Sequence, residues 1–225
     1  MDATKIWYFE EVDLYNLFCP HKYPHLKDTH KFYHFKKDQF IYLEEDTSRY
    51  VFLIACGRVR IGNYSSDGKE VIKAILTQGE IFGEMALAGE TKRNDFAMAM
   101  EDNTSICPLT IQDMQELMAE NKAFNFKIIK LIGLRLQKME RRIESLLFKD
   151  ARTRIIEFLR DSAEEIGKKV GYETLVKNNL THKDIANLTG TSRQTVTTVL
   201  NELKNNNVIN FDRRRILIRD MDLLK

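Results

Sequence analysis

The hydrophobic pattern of this chain changes once, near Thr110, and that change constrains the fold more than any other feature. Before it, from about Lys31 to Leu109, short apolar or alternating runs are separated by turn residues such as Gly57. After it, apolar residues recur every three or four positions to about Leu147. Side chains repeat with a period of two in strands and about 3.6 in helices. The sequence therefore predicts a β-domain followed by helices.

Strand-sized segments and tight turns indicate a small barrel or jelly roll in the N-terminal half. Val51–Cys56 is a compact apolar run, and Arg58–Ile61 alternates polar and apolar residues as a half-buried strand does. Ser66–Gly68 is typical of a hairpin turn, because glycine adopts the positive φ that such turns require. Val71–Leu76 continues the meander, and Gln78–Glu80 ends it. Strands at this spacing favour a closed or double-sheet β-domain.

A narrow apolar stripe marks the helical segment that follows. Its six residues have a 3-4-3-4-3 spacing over nearly three heptads, with basic residues on both sides. Such a stripe is typical of a helix that pairs with another helix, although an amphipathic helix packed on its own domain also shows it. We expect a dimer seam that consists of Ile129, Ile132, Leu136, Met139, Ile143 and Leu146.

The distribution of charge favours a nucleic-acid partner more than the net charge of +2 does. Residues 1–150 carry a net charge of −2. Residues 151–225 carry 14 Lys and Arg against 10 Asp and Glu, a net charge of +4, and the excess lies within residues 182–219. A basic C-terminal segment is typical of domains that bind nucleic acid.

Residues 181–219 have the pattern of two short helices joined by a glycine turn. Thr181 and Asp184 have the spacing of a capping box at the start of the first helix. Gly190 can adopt the left-handed conformation that the turn requires, and Ser192 can cap the second helix. The inward face of the second helix is predicted to consist of Val196, Val199, Leu200 and Leu203.

The outward face of the second helix carries side chains that read DNA bases. Arginine pairs with guanine, glutamine pairs with adenine, and threonine contacts several bases through its methyl or hydroxyl group. Two packed helices of an unrelated α-domain would not require these residues there. We predict base contacts from Arg193, Gln194, Thr197 and Thr198.

A two-stranded wing with a basic tip is predicted after the second helix. Its strands are Val208–Phe211 and Ile216–Ile218, and three arginines lie between them. Arginines at such a tip are suited to phosphate groups. The predicted phosphate contacts are Thr181, His182, Ser192, Thr195, Arg213, Arg214 and Arg215.

A segment of the β-domain, Ile81–Leu87 followed by Arg93, has residues suited to a small anion. Gly83 allows close approach of the backbone, Arg93 can present two N–H groups to a phosphate, and Glu84 can accept from a sugar hydroxyl. An ion pair between Glu84 and Arg93 explains the same residues without a ligand.

Taken together, these motifs resemble the CRP/FNR superfamily of bacterial transcription regulators over nearly the whole chain. The resemblance implies an α+β fold with an N-terminal double-stranded, jelly-roll-like β-roll over residues 1–110. A long dimerisation helix over 111–149 and a winged helix-turn-helix over 150–225 would follow, with RNA polymerase as a partner. The matching segments are Gly57 with its following strand, Asp67–Glu70, Gln78–Glu80, Phe82–Leu87 with Arg93, Phe148–Ile155, Leu180–Ala186 and Gly190–Val196.

The resemblance also implies an effector site, with departures from the family pattern. The segment Phe82–Leu87 with Arg93 matches the phosphate-binding cassette of the family and is called the effector cassette below. In members that bind cyclic AMP, the Gly and Glu of this cassette contact the ribose and its Arg contacts the cyclic phosphate. Here the loop before Arg93 is one residue shorter, and Met139 and Glu140 replace the hydroxyl residues that meet adenine. No cofactor is required, and a cyclic nucleotide is one candidate effector. The predicted effector contacts are Gly83, Glu84, Met85, Ala86, Arg93, Asn94, Met139 and Glu140.

Histidines near the N-terminus raise the alternative of a haem-binding or redox-responsive regulator. His21, His25, His30 and His34 lie with Cys19 within sixteen residues. Imidazole and thiolate ligate haem, zinc or copper, but an iron–sulfur cluster needs more cysteines than this segment has. Ordinary surface histidines explain the segment better, and we predict no metal site.

The sequence thus predicts a cytoplasmic homodimer that binds a pseudo-palindromic operator in double-stranded DNA under the control of a small effector. A ligand-independent regulator and a ligand-binding protein without DNA-binding activity are the alternatives. No apolar run is long enough to cross a membrane, and no secretory signal is visible. No catalytic triad, P-loop or cupin metal motif is present, so an enzyme is not expected.

Overall fold

The computed structural model describes residues 31–68, 70–120, 122–177, 180–212 and 215–224. The chain forms two compact units, one that ends at Leu134 and one that includes Arg135 and the residues after it. Both units contain helices and strands, so the predicted α+β class is confirmed. In the described part of the chain, no helix is long and apolar enough to cross a bilayer.

The first unit contains two four-stranded antiparallel sheets, as the jelly-roll prediction requires. One sheet has the strand order β1-β8-β3-β6 and the other has β2-β7-β4-β5. A short 3₁₀ helix, Glu84–Ala88, follows β6. The strands are β1 Tyr33–Phe35, β2 Phe40–Tyr42, β3 Tyr50–Cys56, β4 Arg58–Tyr64, β5 Glu70–Thr77, β6 Ile81–Phe82, β7 Phe96–Ala99 and β8 Thr104–Thr110.

The packing of β3 explains why Val51–Cys56 is apolar at almost every position. Phe52 and Ile54 pack in a buried cluster that contains residues of both sheets. Val51 and Leu53 pack in a second cluster with residues of the helices that follow β8. A strand that is buried on both faces has no polar side, so the alternation of a half-buried strand is absent.

The helical segment after Thr110 comprises two helices rather than the single one predicted. Helix α1 is Ile111–Glu120, and helix α2 is Lys122–Phe148. Thr110 ends β8, and its N–H donates to the Asp113 carboxylate at 2.7 Å while its hydroxyl accepts from the Asp113 N–H at 3.0 Å. This reciprocal pair caps the start of α1. The three predicted domain ranges stay predictions. The boundary between the two compact units lies inside α2, between Leu134 and Arg135.

The second unit contains the predicted wing and two further strands that were not predicted. Strands β11 and β12 pair antiparallel, and β12 also pairs with β10, in the order β11-β12-β10-β9. All three residues of β9 are exposed, so its sequence has no alternation to mark it. The elements are α3 Ala151–Ile166, β9 Lys168–Val170, β10 Glu173–Val176, α4 His182–Thr189, α5 Arg193–Asn205, β11 Ile209–Phe211 and β12 Ile216–Ile218.

Candidate DNA-binding and effector sites

The two helices α4 and α5 have the local capping that the sequence predicted. The Thr181 hydroxyl accepts from the Asp184 N–H at 3.1 Å, and the Asp184 carboxylate accepts from the Thr181 N–H at 2.9 Å. Gly190 ends α4 with a φ of 61°, in the left-handed region. The Ser192 hydroxyl accepts from the Thr195 N–H at 3.0 Å and so caps α5. These bonds fix where α5 begins.

Helix α5 has one buried and one exposed face. The buried face consists of Val196, Val199, Leu200 and Leu203, none more than 5% exposed, which confirms the predicted inward face. Arg193, Gln194 and Thr198 are exposed near the N-terminus of the helix. The helix therefore presents to solvent three of the four side chains predicted to read bases.

Thr197, the fourth predicted base-reading residue, is partly engaged within the protein. Its hydroxyl donates to the carbonyl of Arg193 at 2.9 Å and lies 2.9 Å from Nδ1 of His182. The hydroxyl of Thr197 is therefore engaged within the protein, and its methyl group remains for a base contact.

His182 is held between α5 and the wing. Its ring packs edge-to-face against Phe211 at a centroid distance of 5.7 Å. Partial burial, reinforced by the nearby Arg193, lowers the pKa of His182. The lowered pKa favours the neutral imidazole, so its predicted phosphate contact would be a hydrogen bond from a neutral ring N–H rather than an ion pair.

The remaining predicted phosphate contacts lie at two places. Thr181 and Ser192 are exposed, and the hydroxyls of Ser192 and Thr195 lie 2.8 Å apart at the start of α5. Arg215 is exposed, and its carbonyl accepts from the Asp212 N–H at 3.0 Å across the wing turn. Arg213 and Arg214 lie outside the described residues.

Arg154 positions the turn between α4 and α5, a role that sequence reasoning missed. Its side chain is buried, and its guanidinium donates to the carbonyls of Thr189 at 2.8 Å, Gly190 at 3.1 Å and Lys149 at 2.6 Å. Carbonyls at the end of a helix have no partner within the helix, and a cation there also interacts favourably with the helix dipole. The contacts with Thr189 and Gly190 join residues 35 and 36 positions apart, so no local signal marks them.

Replacing Arg154 is expected to destabilise the second unit. Arg154→Met keeps the aliphatic part of the side chain but removes three charge-assisted hydrogen bonds, so the free energy of unfolding should fall by about 3 kcal/mol. Urea denaturation of the full chain, followed by circular dichroism, measures this change. Arg152→Met is the control, because Arg152 is exposed and its pair with Glu202 at 3.0 Å is a surface ion pair worth under about 1 kcal/mol. Equal losses in both variants would contradict the positioning role.

The C-terminal part of α2 also contacts α4. Arg142 donates to the carbonyl of Asn187 at 3.1 Å. A Cβ at Gly190 would lie 2.5 Å from a methyl group of Leu146, so the leucine packs directly on the glycine turn. The end of the predicted dimer helix and the helix-turn-helix are thus one packed body within the second unit.

The predicted dimer seam forms an exposed apolar stripe along α2. Within a single chain each of its six residues exposes between 44% and 67% of its surface. Contiguous apolar surface of this kind is typical of an interface. The residues are Ile129, Ile132, Leu136, Met139, Ile143 and Leu146.

The effector cassette begins with a glycine in the left-handed region. Gly83 has a φ of 73° and precedes the 3₁₀ helix Glu84–Ala88. A Cβ there would lie 2.9 Å from Nη1 of Arg93 and 3.0 Å from the carbonyl of Tyr50. Glycine is therefore required both by the backbone and by the arginine that lies against it.

Arg93 donates through both of its Nη atoms to protein groups. It is 2% exposed, and it donates to the carbonyls of Gly83 at 3.0 Å and Tyr50 at 2.5 Å. Its carboxylate partner is Glu90, with Nη1 and Oε2 3.4 Å apart, rather than Glu84. The guanidinium also lies 4.6 Å from the ring centroid of Tyr42. An anion that engages both Nη1 and Nη2 would compete with these acceptors.

Glu90, which sequence reasoning did not select, organises the loop that contains Arg93. Its carboxylate also accepts from the amide of Asn94 at 3.0 Å and from the hydroxyl of Ser48 at 2.9 Å. Glu90 precedes Arg93 by three residues and Asn94 by four. This spacing could have predicted that the Glu90 carboxylate contacts both side chains. Asn94, predicted as an effector contact, is therefore held by a carboxylate.

Tyr42 lies beneath Arg93 and donates to the Asp95 carboxylate at 3.0 Å. Burial, reinforced by Asp95, raises the pKa of the Tyr42 phenol well above its usual value. The hydroxyl therefore stays protonated and keeps its bond to Asp95 at physiological pH.

The other predicted effector contacts are distributed between the two units. In the first unit Met85 is 53% exposed and Ala86 is buried. Met139 and Glu140 are exposed residues of α2 in the second unit.

The histidine segment falls almost wholly outside the described residues. Cys19, His21, His25 and His30 belong to that undescribed part, and His34 is an exposed residue of β1. Among the described residues no group of histidine, cysteine and acidic side chains has the arrangement of a metal site.

Comparison with known proteins gives matches over both units. Residues 32–121 match the cyclic nucleotide-binding domain family, and residues 153–225 match the Crp-like helix-turn-helix domain family. The chain is 30% identical over 185 residues to the cyclic AMP receptor protein of Thermus thermophilus, with 82% of each chain covered. It is 23% identical over 190 residues to the CRP-like cAMP-activated global transcriptional regulator of Mycobacterium tuberculosis, with 84% of each covered.

A solved structure supports the same relationship. A variant of CooA from Carboxydothermus hydrogenoformans superposes with a TM-score of 0.82 at 30% identity, covering 99% of this chain and 98% of that one. The match with this structure covers nearly the whole chain, and so includes both the β-roll and the capped helix-turn-helix described above. The chain therefore belongs to the CRP/FNR superfamily of transcription regulators, with a cyclic nucleotide-binding domain and a Crp-like helix-turn-helix domain.

Proposed function

We propose that the protein is a homodimeric, sequence-specific DNA-binding regulator controlled by a small effector in the β-roll. The observation that carries this proposal is helix α5. Its start is fixed by Ser192, its apolar face is buried, and Arg193 and Gln194 are exposed at its N-terminus. A helix presented in this way has the geometry of a recognition helix in the major groove.

Dimerisation through α2 supports a two-fold symmetric operator. Two copies paired along the exposed stripe would present two recognition helices, and these would enter successive major grooves about 34 Å apart. An effector that binds the DNA-competent state more tightly than the other state would shift the population toward it. RNA polymerase is the further partner that the family implies.

Selection of bound DNA from a random pool tests the proposal. We expect enrichment of a pseudo-palindrome with half-site centres about 10 base pairs apart. Gln194 and Thr198 stand where glutamate and arginine are usual in cyclic-AMP-binding relatives, so the half-site should differ from theirs. If no sequence is enriched with or without candidate effectors, the protein is instead a ligand-binding protein without DNA-binding activity.

The wing is expected to contribute affinity without specificity. Arg215→Ala should weaken binding to operator and random DNA by the same factor, and should reduce the slope of log K against log salt by about one ion. Fluorescence anisotropy at several salt concentrations measures both effects. Lys168→Ala is the control, because Lys168 is an exposed cation on β9, at the other edge of the same sheet. A loss confined to the operator would instead make Arg215 a base-reading residue.

Cyclic nucleotides are the effectors that the family match favours, but the bonds of Arg93 oppose them. A cyclic phosphate bound to Nη1 and Nη2 of Arg93 would compete with the carbonyls of Gly83 and Tyr50 and with the Glu90 carboxylate. We expect isothermal titration with cyclic AMP or cyclic GMP to give no heat at up to about 1 mM ligand. Saturable heat would contradict this expectation and show that Arg93 exchanges its partners. A Soret band in the purified protein would instead favour the haem alternative.

A further inference from the structure

His182, the first residue of α4, joins three elements of the second unit. Its Nδ1 lies 2.9 Å from the hydroxyl of Thr197 on α5, and its ring packs edge-to-face against Phe211 of β11 at a centroid distance of 5.7 Å. The Thr197 hydroxyl in turn donates to the carbonyl of Arg193 at 2.9 Å. The imidazole is therefore fixed between the predicted base-reading face of α5 and the wing.

The second ring nitrogen of His182 is left for an acceptor outside the chain. Nδ1 has the Thr197 hydroxyl as its partner, whereas Nε2 makes no hydrogen bond to the part of the chain that the structure describes. His182 is half-buried and the preceding Thr181 is exposed, so the ring still reaches the surface. The first helix of a helix-turn-helix crosses the DNA backbone, and phosphate contacts there position the protein on the duplex.

Charged residues surround this junction, and most of them are basic. They are Arg193 on α5, Lys183 and Asp184 beside His182 on α4, and Lys204 and Asp212 beside Phe211. The Asp184 carboxylate is already bonded to the Thr181 N–H at 2.9 Å, and Asp212 is exposed. Burial, reinforced by Arg193, disfavours a charged imidazole in the free protein, as the lowered pKa of His182 shows.

A DNA phosphate beside His182 would change this balance. Its negative charge offsets the neighbouring cations, and its oxygens can accept a hydrogen bond from Nε2. Both effects favour the charged imidazole, so the ring takes up a proton at a higher pH in the complex than in the free protein. Linkage then requires DNA to bind more tightly at lower pH, because phosphate binding and proton binding at one residue promote each other equally.

We propose that protonation of His182 strengthens operator binding by converting its phosphate contact from a neutral hydrogen bond into an ion pair. The proposal rests on the proposed function, since it adds a proton-linked regulation of the same DNA-binding site. Histidine is the side chain that ordinarily titrates between about pH 5 and pH 8, and His182 is the only histidine in residues 135–225. The linkage of the second unit therefore belongs to this residue.

Fluorescence anisotropy with the selected operator from about pH 5.5 to pH 8, at one ionic strength, tests the proposal. We expect at least about tenfold higher affinity at the lower pH, since about threefold at each of two half-sites multiplies. His182→Gln should vary less than about twofold, because its amide keeps a neutral N–H donor but does not titrate. His34→Gln is the matched control, since it removes an exposed histidine of β1 in the first unit and should keep the full pH dependence.

Calorimetric titration of the unmodified chain with operator, in buffers of different ionisation enthalpy, gives a second readout that needs no variant to fold. We expect net proton uptake on binding. Absence of proton uptake, or a His182→Gln protein that keeps the pH dependence, would refute the proposal. Sequence-specific binding at neutral pH in the same titrations would leave the proposed function standing in either case. Failure to bind any operator would refute both.

Discussion

Leu136→Lys is expected to convert the protein to monomers and to weaken operator binding at least about a hundredfold. Leu136 is 58% exposed in the middle of the apolar stripe of α2. Burial of one leucine contributes about 2 kcal/mol, and a symmetric seam loses that contribution twice. The dimer dissociation constant should therefore rise about a thousandfold. The repulsion between two ammonium groups adds to this effect.

Sedimentation velocity at micromolar protein and anisotropy with the selected operator measure the two consequences. Gln137→Lys is the matched control, since it places the same side chain at the neighbouring exposed position, one residue off the stripe. That variant should stay dimeric and bind the operator as the unmodified protein does. A Leu136→Lys protein that remains dimeric would show that the stripe is not the seam.

Arg193→Ala is expected to lower operator affinity by about 1–3 kcal/mol, which corresponds to about 5–150-fold, while binding to random DNA changes little. Arg193 is the first residue of α5, directly after the Ser192 cap, and it is exposed. The operator presents a guanine at the position that Arg193 reads, whereas random DNA seldom does. Removing the arginine therefore removes a bidentate contact from the operator complex and few contacts from complexes with random DNA. The selected sequence should accordingly become degenerate at one position of each half-site.

Anisotropy with operator and random duplexes at one salt concentration measures this ratio. Arg152→Ala removes an exposed arginine of α3 that pairs with Glu202, and it should change neither affinity appreciably. An equal loss on both duplexes for Arg193→Ala would make Arg193 a phosphate contact rather than a base contact.

Several features of the fold were predictable because short-range interactions fix them. The capping box of Thr181 and Asp184, the glycine turn at Gly190 and the Ser192 cap each join residues at most four positions apart. The start of α1 was predictable on the same basis, since Thr110 and Asp113 have capping-box spacing. The end of α1 at Glu120 was not predicted, because apolar residues recur every three or four positions across it.

The effector region shows where such reasoning stops. The cassette pattern identified Gly83 and Arg93 as a pair, and the structure places them in contact. Two of the partners of Arg93, Tyr50 and Tyr42, lie 43 and 51 positions away in sequence. A long, flexible side chain can reach acceptors in several directions, and the tertiary fold decides which acceptors lie within reach. No local sequence pattern therefore specifies the partners of Arg93.

The sequence by itself determined the two kinds of domain, the capped recognition helix with its exposed polar face, and the apolar stripe of α2. Backbone capping, hydrophobic periodicity and charge distribution are local properties, and the sequence contains them directly. The tertiary structure alone decided that Arg93 is satisfied by protein carbonyls and Glu90, that Arg154 binds the turn after α4, and that His182 lies between α5 and the wing. These features depend on groups that only packing brings together, because buried polar groups must find partners and these partners lie far apart in sequence.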